Sequence, residues 1–152
     1  MEALVEYVFG TYPSWSHLVV RIALGVIFFA HGAQKTFGWF GGHGLSATIS
    51  GFRQMNVPPA ATALAAFTEC LGGLALIVGV LARPTAIGLI LVMLVAIAKV
   101  HGKHGFFLNF SMTPGKGHGY EFNLALIALA LSILIGGAGA FSIDRLIAPF
   151  GG

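Results

Sequence analysis

The chain has 152 residues, of which 57% are hydrophobic and only 9% are charged. Soluble domains carry about a quarter of charged residues, so this composition excludes an ordinary soluble protein and indicates an integral membrane protein. The net charge is +3, but the basic residues are scattered singly and form no run that would bind nucleic acid. A single cysteine, Cys70, excludes an internal disulfide and a C-x-x-C redox or metal motif. We expect one domain, residues 1–152.

The N-terminal part of the chain predicts an interfacial segment followed by a first transmembrane span. Residues 1–16 mix apolar side chains with tyrosine and tryptophan, which favour the membrane interface, and they carry two glutamates where a secretory signal would be positive. We therefore expect no cleavable signal. The first span is predicted at residues 16–36. Arg21 lies near its start, and snorkelling toward the headgroups is favoured over a functional role.

Three further apolar segments are long enough to cross a bilayer, at residues 60–81, 84–100 and 120–141. Two long loops, residues 37–59 and 101–119, join the first span to the second and the third to the fourth, whereas Arg83 and Pro84 leave almost no loop between the middle two. The sequence therefore predicts an all-α membrane protein, a four-transmembrane-helix antiparallel bundle with both long loops on the same side. A short amphipathic surface helix is predicted within residues 45–55.

Glu69 is the most informative residue of the second span. Small residues recur around it at helical spacing, which lets a neighbouring helix approach and turns the carboxylate toward protein. An ionised carboxylate at membrane depth costs about 2.5–3.5 kcal/mol, so Glu69 is either protonated or paired with His31, Lys35 or Lys99. A ligand or proton site is favoured over a purely structural polar clasp.

In the predicted topology nearly all polar residues of the spans gather on the loop side. His31, Gln34 and Lys35 share one face near the end of the first helix because they lie at i, i+3 and i+4. The candidate binding residues from this folding argument are His31, Gln34, Lys35, Glu69, Lys99, His101 and Glu121. On the fourth span, Glu121 heads a stripe of small residues, and Asn123 points about 200° away from it.

Several alternatives stay open at the level of residue pattern. His31 and His101 come from different helices at similar depth, yet no metal or haem signature supports ligation, so no metal, haem or flavin is expected. Cys70 is expected to be a buried small apolar residue. Aromatic residues flank the polar cluster and are able to form a flat pocket, although simple packing explains each of them equally well: Phe28, Phe29, Phe37, Phe40, Phe106 and Phe107.

Four segments together resemble the DoxX family. They are R-I-A-L-G-V-I-F-F-A-H-G-A-Q-K-T-F-G-W-F-G-G-H-G-L from Arg21, T-E-C-L-G-G in the second span, V-H-G-K-H-G-F-F at the end of the third and G-H-G-Y-E-F-N-L-A-L at the start of the fourth. The resemblance extends over residues 17–148. It implies a four-helix bacterial inner-membrane protein, since the family is named for a small membrane subunit of a thiosulfate:quinone oxidoreductase. By matching position, the family's polar signature falls on His31, Gln34, Lys35, Glu69, His101, Glu121 and Asn123.

The resemblance, together with the polar cluster, implies an integral membrane subunit of a redox system that binds a quinone or a similar small carbonyl compound. His31, Lys35 and Glu69 are the candidate catalytic groups. Without a flavin motif or a cysteine pair, electrons would come from a partner oxidoreductase subunit or another cofactor. A non-catalytic scaffold of an oxidoreductase complex and, third, a small-molecule transporter are the alternatives. Membrane lipid is an expected contact, and a homo-oligomer is a further possibility.

Orientation follows from the distribution of the basic residues. More of them lie with the two long loops than with the termini, so the positive-inside rule directs the polar cluster toward the cytoplasm and the termini toward the periplasm of the inner membrane. The loop-side residues are Lys35, Arg53, Lys99, Lys103 and Lys116.

Overall fold

The computed structural model describes residues 2–148, and within that range its regular structure is helical. Two short turns extend the fifth helix, a π-helical turn at Ile97–His101 and a 3-10 turn at Gly102–His104. The α-helices are α1 (Glu2–Phe9), α2 (Trp15–Phe37), α3 (Gly44–Arg53), α4 (Pro59–Val78), α5 (Ala82–Ala96), α6 (Glu121–Gly136) and α7 (Ile143–Ile147). The predicted surface helix between the first two spans is present as α3.

Three of these helices are long and apolar enough to cross a membrane: α2, α4 and α5 with its two turns. The fourth apolar helix, α6, has only 16 residues. The chain is therefore a multi-pass membrane protein with three long helices and a shorter one. Helices α4 and α6 end at Val78 and Gly136, before residues 81 and 141, where the second and fourth spans were predicted to end. Gly79 and Gly137 adopt positive φ angles of 77° and 78°, and this left-handed backbone stops both helices.

Helices α2 and α4 pack closely because glycines face each other across their interface. A Cβ on Gly25 would lie 2.8 Å from the carbonyl oxygen of Gly73. A Cβ on Gly32 would lie 2.7 Å from the carbonyl carbon of Glu69 and closer still to the backbone of Cys70. Real side-chain carbons do not come so near to backbone, so only glycine allows this approach. The predicted stripe of small residues on α4 is thus confirmed as a helix contact.

The prediction that Arg21 snorkels to the headgroups is wrong. Its side chain is 1% exposed and points into the bundle. The guanidinium donates hydrogen bonds to five backbone carbonyls, two at the end of α4 and three in the non-helical segment that follows α6: Leu76, Ile77, Ala138, Ala140 and Phe141. Non-helical backbone at membrane depth needs such partners, because hydrocarbon offers none. Arg21 therefore closes the terminus side of the bundle.

Asp144 completes this closure. Its carboxylate accepts hydrogen bonds from the backbone N–H groups of Leu81 and Ala82 at 2.7 and 2.8 Å, at the start of α5. Burial raises the pKa of the Asp144 carboxyl above its usual value, and the two N–H donors oppose that shift. Arg83 donates to the carbonyls of Gly10 and Leu134. The side chains of Arg21, Arg83 and Asp144 are thus all engaged with backbone groups.

The face of α6 that enters the core is the one opposite to the predicted stripe. Asn123, Leu126 and Ile133 are buried, whereas Ala125 and Ala128 are exposed. Ala125 and Ala128 therefore face outward, in contrast to the small residues of α4, although Ala130 of α6 is buried. The core that this face joins contains large apolar side chains from α2, α4 and α5, among them Leu24, Phe28, Leu76, Leu89 and Met93.

Candidate functional site

An ion pair between α2 and α4 lies at the centre of the loop side. Lys35 Nζ donates to both carboxylate oxygens of Glu69, each at 2.6 Å. Glu69 is only 1% exposed, whereas 31% of the Lys35 side chain is exposed. The close approach at Gly32, one turn before Lys35, sets the spacing of this contact. The prediction that Glu69 has a cationic or imidazole partner and faces protein is confirmed.

A cavity of about 530 Å³ lies beside the ion pair, between α2, α4, α5, α6 and the second long loop. Its volume falls in the range of small-molecule sites. Most of its lining is apolar, with polar groups converging from three helices and the loop. We call it the central cavity. Five of the predicted binding residues line it, namely His31, Lys35, Glu69, His101 and Asn123.

Three predicted binding residues are outside this lining. Gln34 donates its amide hydrogen to the carbonyl of Phe40 at 3.1 Å, so it supports the turn after α2. Lys99 is exposed in the π-helical turn, whose wider winding takes it off the α-helical face formed by Val92 and Val95. Glu121 is half-buried in the first turn of α6.

Two histidines of the central cavity are fixed by backbone hydrogen bonds. His101 Nδ1 lies 2.9 Å from the carbonyl oxygen of His118, and a carbonyl only accepts, so Nδ1 must bear a hydrogen. His118 Nδ1 accepts the N–H of Asn109 at 3.2 Å, so the hydrogen of its neutral ring is on Nε2. In both neutral rings Nε2 therefore remains available to a ligand. It is a hydrogen-bond acceptor in His101 and a donor in His118.

Asn123 adds a buried polar group to the cavity wall. The residue is 6% exposed, and its amide nitrogen donates to Met93 Sδ at 3.3 Å. Within residues 2–148 every fully buried side-chain nitrogen or oxygen has a hydrogen-bond partner, and no protein donor reaches Asn123 Oδ1. This oxygen must therefore face open space, and the central cavity is the space that Asn123 lines.

Comparison with known proteins gives the family. The DoxX family model matches residues 16–102, which is more than half of the chain. The chain belongs to the DoxX family. No curated protein and no solved structure is significantly similar to it. The match extends from α2 through the π-helical turn, so it includes four of the five predicted residues that line the cavity of this DoxX protein.

The aromatic wall of the cavity differs from the predicted one. Of the six phenylalanines proposed from the sequence, only Phe28 lines the cavity, and Phe52, Phe110 and Phe122 form the rest. Four of the other predicted rings contact neighbouring aromatic rings instead, as in the edge-to-face contact of Phe106 with Tyr120. His118, in the second long loop, also lines the cavity and is not among the predicted binding residues; its place immediately before the G-Y-E motif was the available signal. The loop is ordered, because residues 105–107 accept backbone hydrogen bonds from residues 119–121.

The DoxX protein offers no evident metal site within residues 2–148. No three histidine, cysteine, aspartate or glutamate side chains of that range cluster as ligands would. His31 and His101 do line the same cavity, as the alternative metal hypothesis requires, but two imidazoles are fewer than a zinc site uses. Cys70 is buried and free, as expected.

Proposed function

We propose that this DoxX protein is the membrane subunit of a redox system and binds a quinone-like carbonyl compound in the central cavity. The observation that supports this most strongly is the combination of an apolar cavity with hydrogen-bonding groups of both kinds. His118 Nε2 and the ammonium of Lys35 are donors, and Asn123 Oδ1 is an acceptor. A quinone head needs a flat apolar slot with donors at its carbonyl oxygens, and its hydroquinone form needs acceptors.

The residues present fit such a ligand. Lys35 has three N–H donors, and Glu69 accepts from only some of them, so one remains for a carbonyl oxygen. His101, with its Nδ1 hydrogen held by a carbonyl, is able to take up or release a proton at Nε2. When bound, a quinone supplies two-electron carbonyl chemistry, and electrons come from a partner oxidoreductase subunit, because the chain has no flavin motif or cysteine pair.

The membrane location and the orientation of the protein are part of the same proposal. The shorter helix α6 would be the fourth span of an inner-membrane bundle, because the buried segment 137–140 continues the chain beyond its end. About 24 Å of helix is shorter than a hydrocarbon core of roughly 30 Å, so the segment after α6 would have to complete the crossing. The cavity would then face the cytoplasm and the termini the periplasm.

A non-catalytic scaffold is the second candidate, and one observation favours it. Buried ion pairs frequently specify how helices pair without any chemistry, and Lys35–Glu69 joins the two most closely packed helices. A transporter is the weakest of the three, because Arg21, Asp144 and Arg83 on the terminus side are held by backbone groups and are not available to line a polar path.

A calorimetric titration of the detergent-solubilised protein with a water-soluble benzoquinone that has no tail tests the proposal. Loss of one hydrogen bond worth about 0.5–1.5 kcal/mol weakens binding roughly 2- to 10-fold. We expect such losses in the cavity variants His31→Ala, Glu69→Gln, His101→Ala and Asn123→Ala, and in the double variant Lys35→Ala/Glu69→Gln, which avoids an unpaired carboxylate. Gln34→Ala and Lys99→Ala are the matched controls. Equal affinity across the whole set, or no binding to wild type, would refute the proposed binding site and favour the scaffold function.

A further inference from the structure

A second cavity, of about 340 Å³, lies between α4 and α5 beneath α3. We call it the lateral cavity. Its lining is almost wholly apolar, and it shares four residues with the central cavity: Lys35, Phe52, Glu69 and Ala96. The two spaces are therefore adjacent, and the ion pair lies in their common wall.

The lateral cavity opens where two helices separate. Toward the terminus side α4 and α5 are in contact, since Gly72 faces Thr85 and Gly88 faces Thr68. Toward the loop side the facing positions are occupied by small or β-branched residues that leave the gap unfilled, including Ala61, Ala65, Val92 and Val95. This is a consequence of side-chain size, because these alanines and valines are too short to fill the gap.

The rim of this cavity faces the membrane. Leu64 and Leu91 line it and are 69% and 58% exposed. Both belong to membrane-spanning helices, so the surface around them is in contact with acyl chains rather than water. A molecule dissolved in the bilayer therefore reaches the lateral cavity sideways, without passing through the aqueous loops.

We propose that the lateral cavity binds the alkyl or isoprenoid tail of a membrane-dissolved ligand whose polar head lies in the central cavity. This inference rests on the proposed function and narrows its substrate class to long-chain quinones that enter between α4 and α5. The shared wall favours one molecule that extends through both cavities over two separate ligands. The polar groups of that wall are Lys35 and Glu69, and they would lie beside the polar head of such a molecule. The tail meets apolar surface throughout.

Photolabelling tests the tail site directly. The probe is a benzoquinone with a ten-carbon tail that bears a terminal diazirine, and cross-linked peptides are mapped by mass spectrometry. We expect labels on residues 61–68 and 88–96, and loss of labelling when the tailless benzoquinone competes. Val92→Phe and, from the opposite wall, Ala61→Leu fill the cavity and should abolish the labels. Leu94→Phe is the control, because Leu94 is exposed on the same helix and lines neither cavity.

The outcomes separate this inference from the proposed function. If the tailless quinone binds wild type but the labels fall on other surfaces, or persist in Val92→Phe and Ala61→Leu, only the tail site is refuted. Labelling of the lateral cavity that the tailless quinone does not displace also refutes it, because the cavity then holds any lipid chain. If the tailless quinone does not bind to wild type, the proposed function is refuted, and the tail site that rests on it is refuted as well.

Discussion

Replacing Gly32 by alanine should separate α2 from α4 and weaken the framework of the site. The new Cβ would lie 2.7 Å from the carbonyl carbon of Glu69 and nearer to the backbone of Cys70. Carbon atoms prefer a separation of about 3.5–4.0 Å, so the helices must move apart by roughly 1 Å. Backbone cannot rotate away as a side chain does. A displacement of that size would stretch the 2.6 Å contact of Lys35 with Glu69 beyond hydrogen-bonding distance.

The free-energy change has two parts. Overpacking of this kind costs up to about 3 kcal/mol when neither neighbour yields. Alanine is intrinsically better than glycine inside a helix by about 1 kcal/mol, which opposes the cost. We expect a net loss near 2 kcal/mol in the free energy of unfolding. Gly51→Ala is the matched control, because a Cβ on Gly51 has no heavy atom within 4 Å, and it should be neutral or stabilising.

Cys70 supplies the assay. It is the single cysteine of the chain, is 3% exposed and lies against Gly32. A fluorogenic thiol reagent in detergent therefore reports both global unfolding on heating and local separation of α2 from α4 at fixed temperature. Gly32→Ala should unfold at lower temperature and label faster than wild type. If it behaves as Gly51→Ala does in both measurements, the packing argument is refuted.

Three further predictions follow from the polar contacts and the charge distribution. Glu69→Gln should lower the melting temperature in detergent less than Glu69→Leu, because glutamine still accepts from Lys35; equal losses would contradict this. Arg21→Leu leaves five carbonyls without their donor and should cost several times the roughly 1–3 kcal/mol of one unsatisfied group, whereas the exposed Arg53→Leu should be near neutral. A reporter fused to the C-terminus should give a periplasmic signal, and a clear cytoplasmic signal would overturn the orientation.

The sequence was sufficient for the pairing of Glu69. Its cost in hydrocarbon is so high that a partner was required, and the topology placed only a few cations on the same side. The starts of the spans were also readable, because apolar runs and Pro59 mark them clearly. The surface helix α3 followed from its helical spacing of apolar residues.

Other features depended on tertiary context. The sequence of α6 is apolar all round, so hydrophobic periodicity could not distinguish the buried face of Asn123 from the face of Glu121. The π-helical turn moves Lys99 out of register, and nothing local marks such a turn. The position of Arg21 near the start of its helix is as compatible with snorkelling as with a side chain that points inward. Its inward role exists only because α6 stops at Gly136 and leaves carbonyls to be satisfied.

The two sides of the bundle use their charged residues in different ways, and this contrast supports the proposal that the loop side binds a ligand. On the terminus side Arg21 has its donors directed at backbone carbonyls and is 1% exposed, so a ligand has no access to it. On the loop side Lys35 bonds a single carboxylate, keeps 31% of its side chain exposed and lines both cavities. A structural clasp does not use the accessible N–H of Lys35, whereas the proposed site would use it as a donor to the ligand.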